Sequence, residues 1–279
     1  MLKYAYNMLV YGSEPLNLGI ERIAKYGYDF VEIVGEPEKT SIPFVQQALT
    51  ENNIGVSTVI SIFTPERDLV SSDKSIRENT IRYMKSNVDF AVKLGAKIVT
   101  LTPTACMKIR PEVAREIEWD WAVAGAQELA TYAKENGVRI AVEPWNRYES
   151  YLINRLDQSI DFCNQVDSPG IGVMADTFHM AIEDSDISAA ITRAGKSLIH
   201  VHLADSNRAA PGRGHLNFTE IVRALNQINY QGVCSFELLP AAGDVWGVLS
   251  GDGAEEFKDQ YTYEAITHMK KIESELGIL

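Results

Sequence analysis

Cysteine is scarce in this chain. Cys106, Cys163 and Cys234 stand far apart with no C-x-x-C pair, so neither a disulfide framework nor a thiolate zinc site is indicated, and they read as buried thiols. Positive charge is short as well: 26 Lys and Arg face 38 Asp and Glu, a net charge of −12. That balance repels a nucleic-acid backbone or an anionic membrane surface as the main partner and leaves a small neutral or metal-chelating ligand. No window approaches the roughly 18 consecutive apolar residues of a membrane span. Residues 1–30 lack the basic start and apolar stretch of a secretory signal, so a cytoplasmic protein is expected. No linker-like run of Pro, Gly, Ser or one charge interrupts the chain, and with 46% hydrophobic residues a disordered chain is excluded. No G-x-G-x-x-G follows the first strand-like segment, which counts against a dinucleotide fold, and no Gly-rich phosphate-cradling loop is present.

What is present is an alternation. Short β-branched runs, "KYAYNM", "FVEIVG", "VSTVISI", "KIVTLTP", "RIAVEPW", "IGVMADTF", "LIHVHLAD" and "VCSFELL", are separated by amphipathic stretches such as "SIRENTIRYMKSNVDFAVKLG" and "WAVAGAQELATYAKENG". Gly27, Gly55, Gly95, Gly137 and Gly232 each stand just before a strand, as a helix C-cap leading into a short loop requires. The units are too dissimilar for a solenoid. The pattern predicts an α/β protein, a single (β/α)8 TIM barrel domain over residues 1–279, with an open doubly wound sheet as the second reading.

In such a barrel the C-terminal ends of the strands build the active site. Glu143 ends the fifth segment, Asp176 the sixth, His202 the seventh and Glu237 the eighth. Three ionised acids meeting above one barrel mouth repel one another unless a cation sits among them, so the placement predicts one divalent metal ion. Oxygen donors with a single imidazole and no thiolate suit Mn²⁺ first, with Mg²⁺ or Co²⁺ as alternatives and Zn²⁺ less favoured. His200, two residues before His202, falls on the same strand face one layer deeper and reads as a core residue. Glu32, within "FVEIVG", is a candidate for orienting a ligand. His268 reads as surface or packing. The loops "FTPERD" and "TPTACMKIRPE" carry no specific chemical signal.

At "EPWNRYESYLINR", "MADTFHM", "HVHLADSNR" and "SFELL" the chain resembles the xylose isomerase-like superfamily, and within it the D-tagatose 3-epimerase / D-psicose 3-epimerase group. The resemblance implies Glu143, Asp176, His202 and Glu237 as metal ligands, with Glu143 and Glu237 also moving the proton through an enediolate. It implies Glu149, His179 and Arg208 as substrate contacts. Where that group usually carries an aliphatic residue this chain has Trp145, a further substrate contact, and the segment "AAGDVWGVLSGDGAEEF" has no counterpart we can match.

The implied activity is divalent-metal-dependent 3-epimerisation of a free ketose, so the partner is a small-molecule carbohydrate. A keto-sugar lyase or dehydratase of the same superfamily (a C-glycoside deglycosidase acting on a 3-oxo-glycoside, or an inosose dehydratase or isomerase) is the alternative. A non-catalytic metal-containing sugar-binding subunit is the reading from a different class. Homo-oligomers, dimers or tetramers, are implied, and a hetero-oligomer if the protein is a lyase. Endonuclease IV is disfavoured by the acidic charge and by too few histidines for its trinuclear zinc site. Arg208 and Arg213 in "SNRAAPGRGH" could serve a phosphate, but a free sugar is preferred over a sugar phosphate, and Pro211-Gly212 marks a turn.

Overall fold

Each β-branched segment becomes a strand: β1 (Lys3–Asn7), β2 (Phe30–Val34), β3 (Gly55–Ile60), β4 (Ile98–Leu101), β5 (Arg139–Val142), β6 (Ile171–Asp176), β7 (Leu198–Leu203) and β8 (Val233–Phe236). These come from a computed structural model that describes residues 1–240 and 255–278. Most of the segment "AAGDVWGVLSGDGAEEF", residues 241–254, lies outside the described residues. All neighbouring strands pair in parallel, and β1 also pairs with β8 through Lys3–Val233 to Tyr6–Phe236, which closes the barrel and excludes the open sheet.

The helices are α1 (Leu16–Lys25), α2 (Ile42–Glu51), α3 (Lys74–Leu94), α4 (Arg115–Glu135), α5 (Leu156–Val166), α6 (Thr177–Glu183), α7 (Ile187–Ala194), α8 (Phe218–Gln227) and α9 (Glu255–Glu275). No described helix is long and apolar enough to cross a membrane. Gly27, Gly95 and Gly137 take the left-handed conformation expected of them. Gly55 and Gly232 do not: Asn53 and Asn229 make those turns, with φ of 49° and 54°. Gly232 is needed for space instead, since a Cβ there would meet the Tyr230 ring.

Two layers of side chains follow from strand alternation. Outward residues such as Val31, Val99, Leu101, Ile140, Val142 and Val201 are buried against the helices in one continuous core. Each such aliphatic side chain contributes about 1.5–3 kcal/mol by leaving water. Inside the barrel, Ala141, Met174 and Ile199, with Ile98 beside them, form a separate apolar floor. Register shifts alter the alternation twice. Opposite Val31/Glu32, β3 carries an extra residue, and β7 does so opposite Val173/Met174. The second shift turns Ile199 into the floor while keeping His200 and His202 on the inner face.

Candidate metal centre and active site

The inner face of β5 runs Arg139, Ala141, Glu143, so Glu143 emerges at the barrel mouth one residue beyond the strand, where its N–H still donates to Leu101 O at 2.9 Å. Glu237 stands in the same relation to β8, one residue past Phe236. Asp176 closes β6 and caps α6: its Oδ1 accepts from Phe178 N (2.7 Å) and His179 N (3.3 Å), which leaves Oδ2 for the mouth. His202 lies on β7 paired with Asp176 and Ser235. Glu143, Asp176, His202 and Glu237 therefore converge, each offering one ligand atom within 4.8 Å of all the others. His202 Nδ1 is 3.7 Å from Glu143 Oε1, 3.7 Å from Glu237 Oε2 and 3.9 Å from Asp176 Oδ2.

The donor set fits a divalent cation. His202 Nδ1 and Glu143 Oε1 are buried without a hydrogen-bond partner, a costly arrangement unless something else satisfies them. Burial pushes the Glu143 carboxyl up to about 8, with Glu237 and Asp176 adding to the effect against His202. Burial likewise raises Asp176 to about 6, opposed by Arg208. Burial acts the same way on Glu237, but Arg208 and His202 outweigh it and hold its carboxyl below the usual range. On His202 burial favours the neutral ring, yet Glu32 and Glu237 raise its pKa well above the ordinary value. Without a cation, protons neutralise this crowd of acids.

Beneath the cluster, the buried Glu32 carboxylate reaches across the barrel from β2. It accepts from His200 Nε2 at 2.9 Å, His202 Nε2 at 2.8 Å and Ser235 Oγ at 2.9 Å. Burial opposes its ionisation, but the two histidines prevail and its pKa drops to about 2. An ionised carboxylate only accepts, so both rings carry their proton on Nε2. Nδ1 of His202 thus faces the mouth, and once its proton is displaced it offers a lone pair there. Its ring lies 5.1 Å from that of His200, one layer below.

Around the mouth, Arg208 sits at a left-handed φ of 62°, held by its N–H to Asp205 O and by Leu239 N to its own carbonyl, both 2.8 Å. Its Nη2 donates to Glu237 Oε2 at 2.6 Å, Nη1 is 3.6 Å from Glu149 Oε1, and the guanidinium covers the Phe178 ring. His179 is buried, stacked on Trp145 with ring centroids 6.1 Å apart, and its Nε2 lies 3.9 Å from Asp176 Oδ2. Glu143, Trp145, Glu149, Asp176, His179, His202, Arg208 and Glu237 are thus brought together at the mouth. Arg213 is not: it pairs with Glu264 on the outside, next to the Gly212 turn, while His268 packs edge-on against Phe218.

Other contributors had escaped the sequence. Asn7, at the end of β1, donates Nδ2 to Glu237 Oε1 at 3.0 Å and could have been found by the strand-end rule. Asn146 links Glu149 and His179, and nothing in its local sequence marks it. A cavity of about 240 Å³ opens above the cluster, walled on the far side by Leu9, Ile60, Ile62, Phe63 and Leu239. Apolar loop residues carry no sign that they face a ligand rather than a core. Phe63 and Cys106 bring the loops after β3 and β4 into this lining.

A closed parallel barrel whose mouth carries three acids and one histidine around a single point is the architecture of a barrel enzyme able to hold a divalent metal at its active site. A family model described as xylose isomerase-like TIM barrel matches residues 20–260, and the chain belongs to that family. It is 32% identical over 266 residues to a D-psicose 3-epimerase of Ruminiclostridium cellulolyticum, with 88% of each chain covered. An L-ribulose 3-epimerase of Methylomonas sp. is 28% identical, covering 85% of this chain and 84% of its own. The solved structure of D-psicose 3-epimerase with D-tagatose from Clostridium cellulolyticum H10 superposes with a TM-score of 0.87 at 29% identity, covering 97% of this chain and 99% of the other.

Proposed function

We propose that the protein is a divalent-metal-dependent ketose 3-epimerase acting on a free sugar, with Glu143, Asp176, His202 and Glu237 as the metal ligands. The observation that carries this reading is the pair Glu143 and Glu237. They are two carboxylates from strands three apart around the barrel, both 3.7 Å from His202 Nδ1 and both lining one small cavity. Ketose 3-epimerases among the relatives support it. The oxygen-rich donor set favours Mn²⁺, with Mg²⁺ or Co²⁺ next. When bound, the cation supplies positive charge that withdraws electrons from the substrate carbonyl and acidifies the neighbouring C–H.

The chain's own residues do the rest. Inverting a carbon beside a ketone requires one base to remove its proton and a second acid to return one to the opposite face. Arg208, donating to Glu237 Oε2 at 2.6 Å, keeps that carboxylate ionised and ready to accept, while Glu143 is the second group, the one that returns a proton. The C–H electron pair moves into the bond to the carbonyl carbon as the C=O π pair moves onto the carbonyl oxygen, and reprotonation from the other side returns both pairs and completes the inversion. In the reverse direction the two residues exchange roles. Arg208 and His179 supply donors for the ketone-end oxygens, and Glu149 accepts from a neighbouring hydroxyl. The apolar wall receives the distal carbons and keeps bulk water from the reacting carbon. At about 240 Å³ the cavity is smaller than the ~300–1,000 Å³ of drug-sized sites, as a monosaccharide requires. Among the described residues that line it, the one cation, Arg208, is already engaged with Glu237, so nothing awaits a phosphate.

The test is turnover of D-psicose, D-tagatose and L-ribulose by the Mn²⁺-loaded protein in D₂O. The wild type should form the C3 epimer with deuterium at C3. Glu237→Gln and Glu143→Gln should each abolish epimer formation. Full turnover by either variant overturns the two-base assignment, and release of a leaving group in place of a ketose product would make the protein a lyase.

A further inference from the structure

Asn146 is buried, 1% exposed, on the loop after β5, and each polar atom of its side chain is used. Its Nδ2 donates to Glu149 Oε1 at 2.8 Å and meets His179 Nδ1 at 2.8 Å, while Oδ1 accepts from Tyr148 N at 3.0 Å. Its backbone N–H also reaches His179 Nδ1, at 3.2 Å. A backbone N–H can only donate, so Nδ1 of His179 must be the acceptor and the ring proton belongs on Nε2. Nε2 is buried, has no hydrogen-bond partner among the described residues and lies 3.9 Å from Asp176 Oδ2 at the mouth.

The amide orientation follows from the same contacts. Turned over, Asn146 would set its carbonyl oxygen against the Glu149 carboxylate and the Nδ1 lone pair, and its NH₂ against the Tyr148 N–H. All three contacts would be repulsive.

We propose that Asn146 is a positioning residue: its backbone N–H and side-chain amide together hold His179 in the Nε2–H tautomer, and the same amide places Glu149. The substrate then meets a donor on one side of the mouth and an acceptor on the other. Glu149 in turn faces Arg208 at 3.6 Å, so the amide governs the ring of groups around the sugar while touching none of the four carboxylate and imidazole groups of the metal cluster. The inference rests on the ketose-epimerase reading for its kinetic part and on the hydrogen bonds alone for its tautomer part.

Asn146→Asp tests it without changing side-chain size. A carboxylate there faces Glu149 and the Nδ1 lone pair, and the contact becomes favourable only when a proton moves onto Nδ1. With five histidines in the chain, ¹⁵N signals of His179 are assignable in the Mg²⁺-loaded protein without sugar. The wild type should show the Nε2–H tautomer, and Asn146→Asp should protonate Nδ1. kcat/KM for the ketose should fall about 10²-fold while the metal Kd stays unchanged. Asn146→Ala, which leaves the backbone N–H on Nδ1, should keep the tautomer and raise KM through the released Glu149.

A wild-type His179 protonated on Nδ1, an unshifted tautomer in Asn146→Asp, or unchanged kcat/KM beside a shifted tautomer would each overturn the proposal. If Asn146→Asp does not fold, an unchanged KM in Asn146→Ala, where Glu149 has lost its amide donor, overturns it equally. The tautomer readout needs no turnover, so a wild type inactive on every ketose would defeat the epimerase reading and not this one.

Discussion

Glu32 and His202 face each other across the barrel interior, from β2 and β7, with Oε2 2.8 Å from Nε2, on the edge of the ring opposite the Glu143 contact. The carboxylate thus decides which imidazole nitrogen is free for a metal. Glu32→Gln offers one carbonyl where three donors converge, so its NH₂ must confront either His200 or His202. Relief comes from a tautomer change that removes the Nδ1 lone pair of His202, or from loss of the ring's anchor. Mn²⁺ affinity should fall about 10–100-fold by titration calorimetry, the usual effect of removing such a partner. Ser235→Ala, which deletes one donor and leaves the carboxylate, should change it far less. An unchanged Kd in Glu32→Gln would show that the ring is positioned by other contacts.

Metal binding should release protons. In the metal-free protein burial raises Glu143 to about 8 and Asp176 to about 6, and the surrounding acids lift His202 well above its ordinary value. All three hold protons that a cation must displace, so apparent affinity should rise with pH between about 6 and 8. Stability has the opposite sign. A group whose folded pKa is raised stabilises the fold below its unfolded pKa and loses that contribution as pH climbs through the folded value. The metal-free Tm should therefore decline from about pH 5 to about pH 8, and a bound cation should remove the decline. Calorimetry in buffers of different ionisation enthalpy counts the protons. A metal-free Tm that rises over this window would contradict the raised pKa values.

The alternation of strands and helices was legible because a parallel barrel buries its strands on both faces, and continuous β-branched runs survive in the sequence. The three acids and one imidazole of the mouth were legible for a related reason: ionisable residues at the ends of such runs have no packing role. Two features left no mark. The register shifts opposite Glu32 and Met174 depend on contacts between strands distant in sequence, so the inward turn of Ile199 was hidden. Asn146 looks like any loop asparagine until the fold brings Glu149 and His179 to its two N–H groups.

Trp145 carries the last prediction. Its backbone is clamped, N–H to Ile153 O at 3.1 Å and carbonyl to Asn154 Nδ2 at 2.7 Å, so exchanging its side chain leaves the loop in place. The indole covers the His179 ring at 24° and lines the cavity beside Glu143 and Glu149, so under the proposed function it bounds the sugar at that end. Trp145→Leu widens this end and removes an aromatic contact of about 0.5–1.5 kcal/mol, equivalent to roughly a 2–10-fold rise in KM. Shorter sugars should suffer more, because a longer chain can occupy the added space, so the kcat/KM ratio of hexulose to pentulose should increase. The metal Kd should hold, since Trp145 supplies no ligand. Parallel kinetics on L-ribulose and D-psicose measure that ratio directly, and an unaltered ratio would mean that the apolar wall of Ile60, Ile62 and Phe63, rather than Trp145, sets the length of sugar accepted.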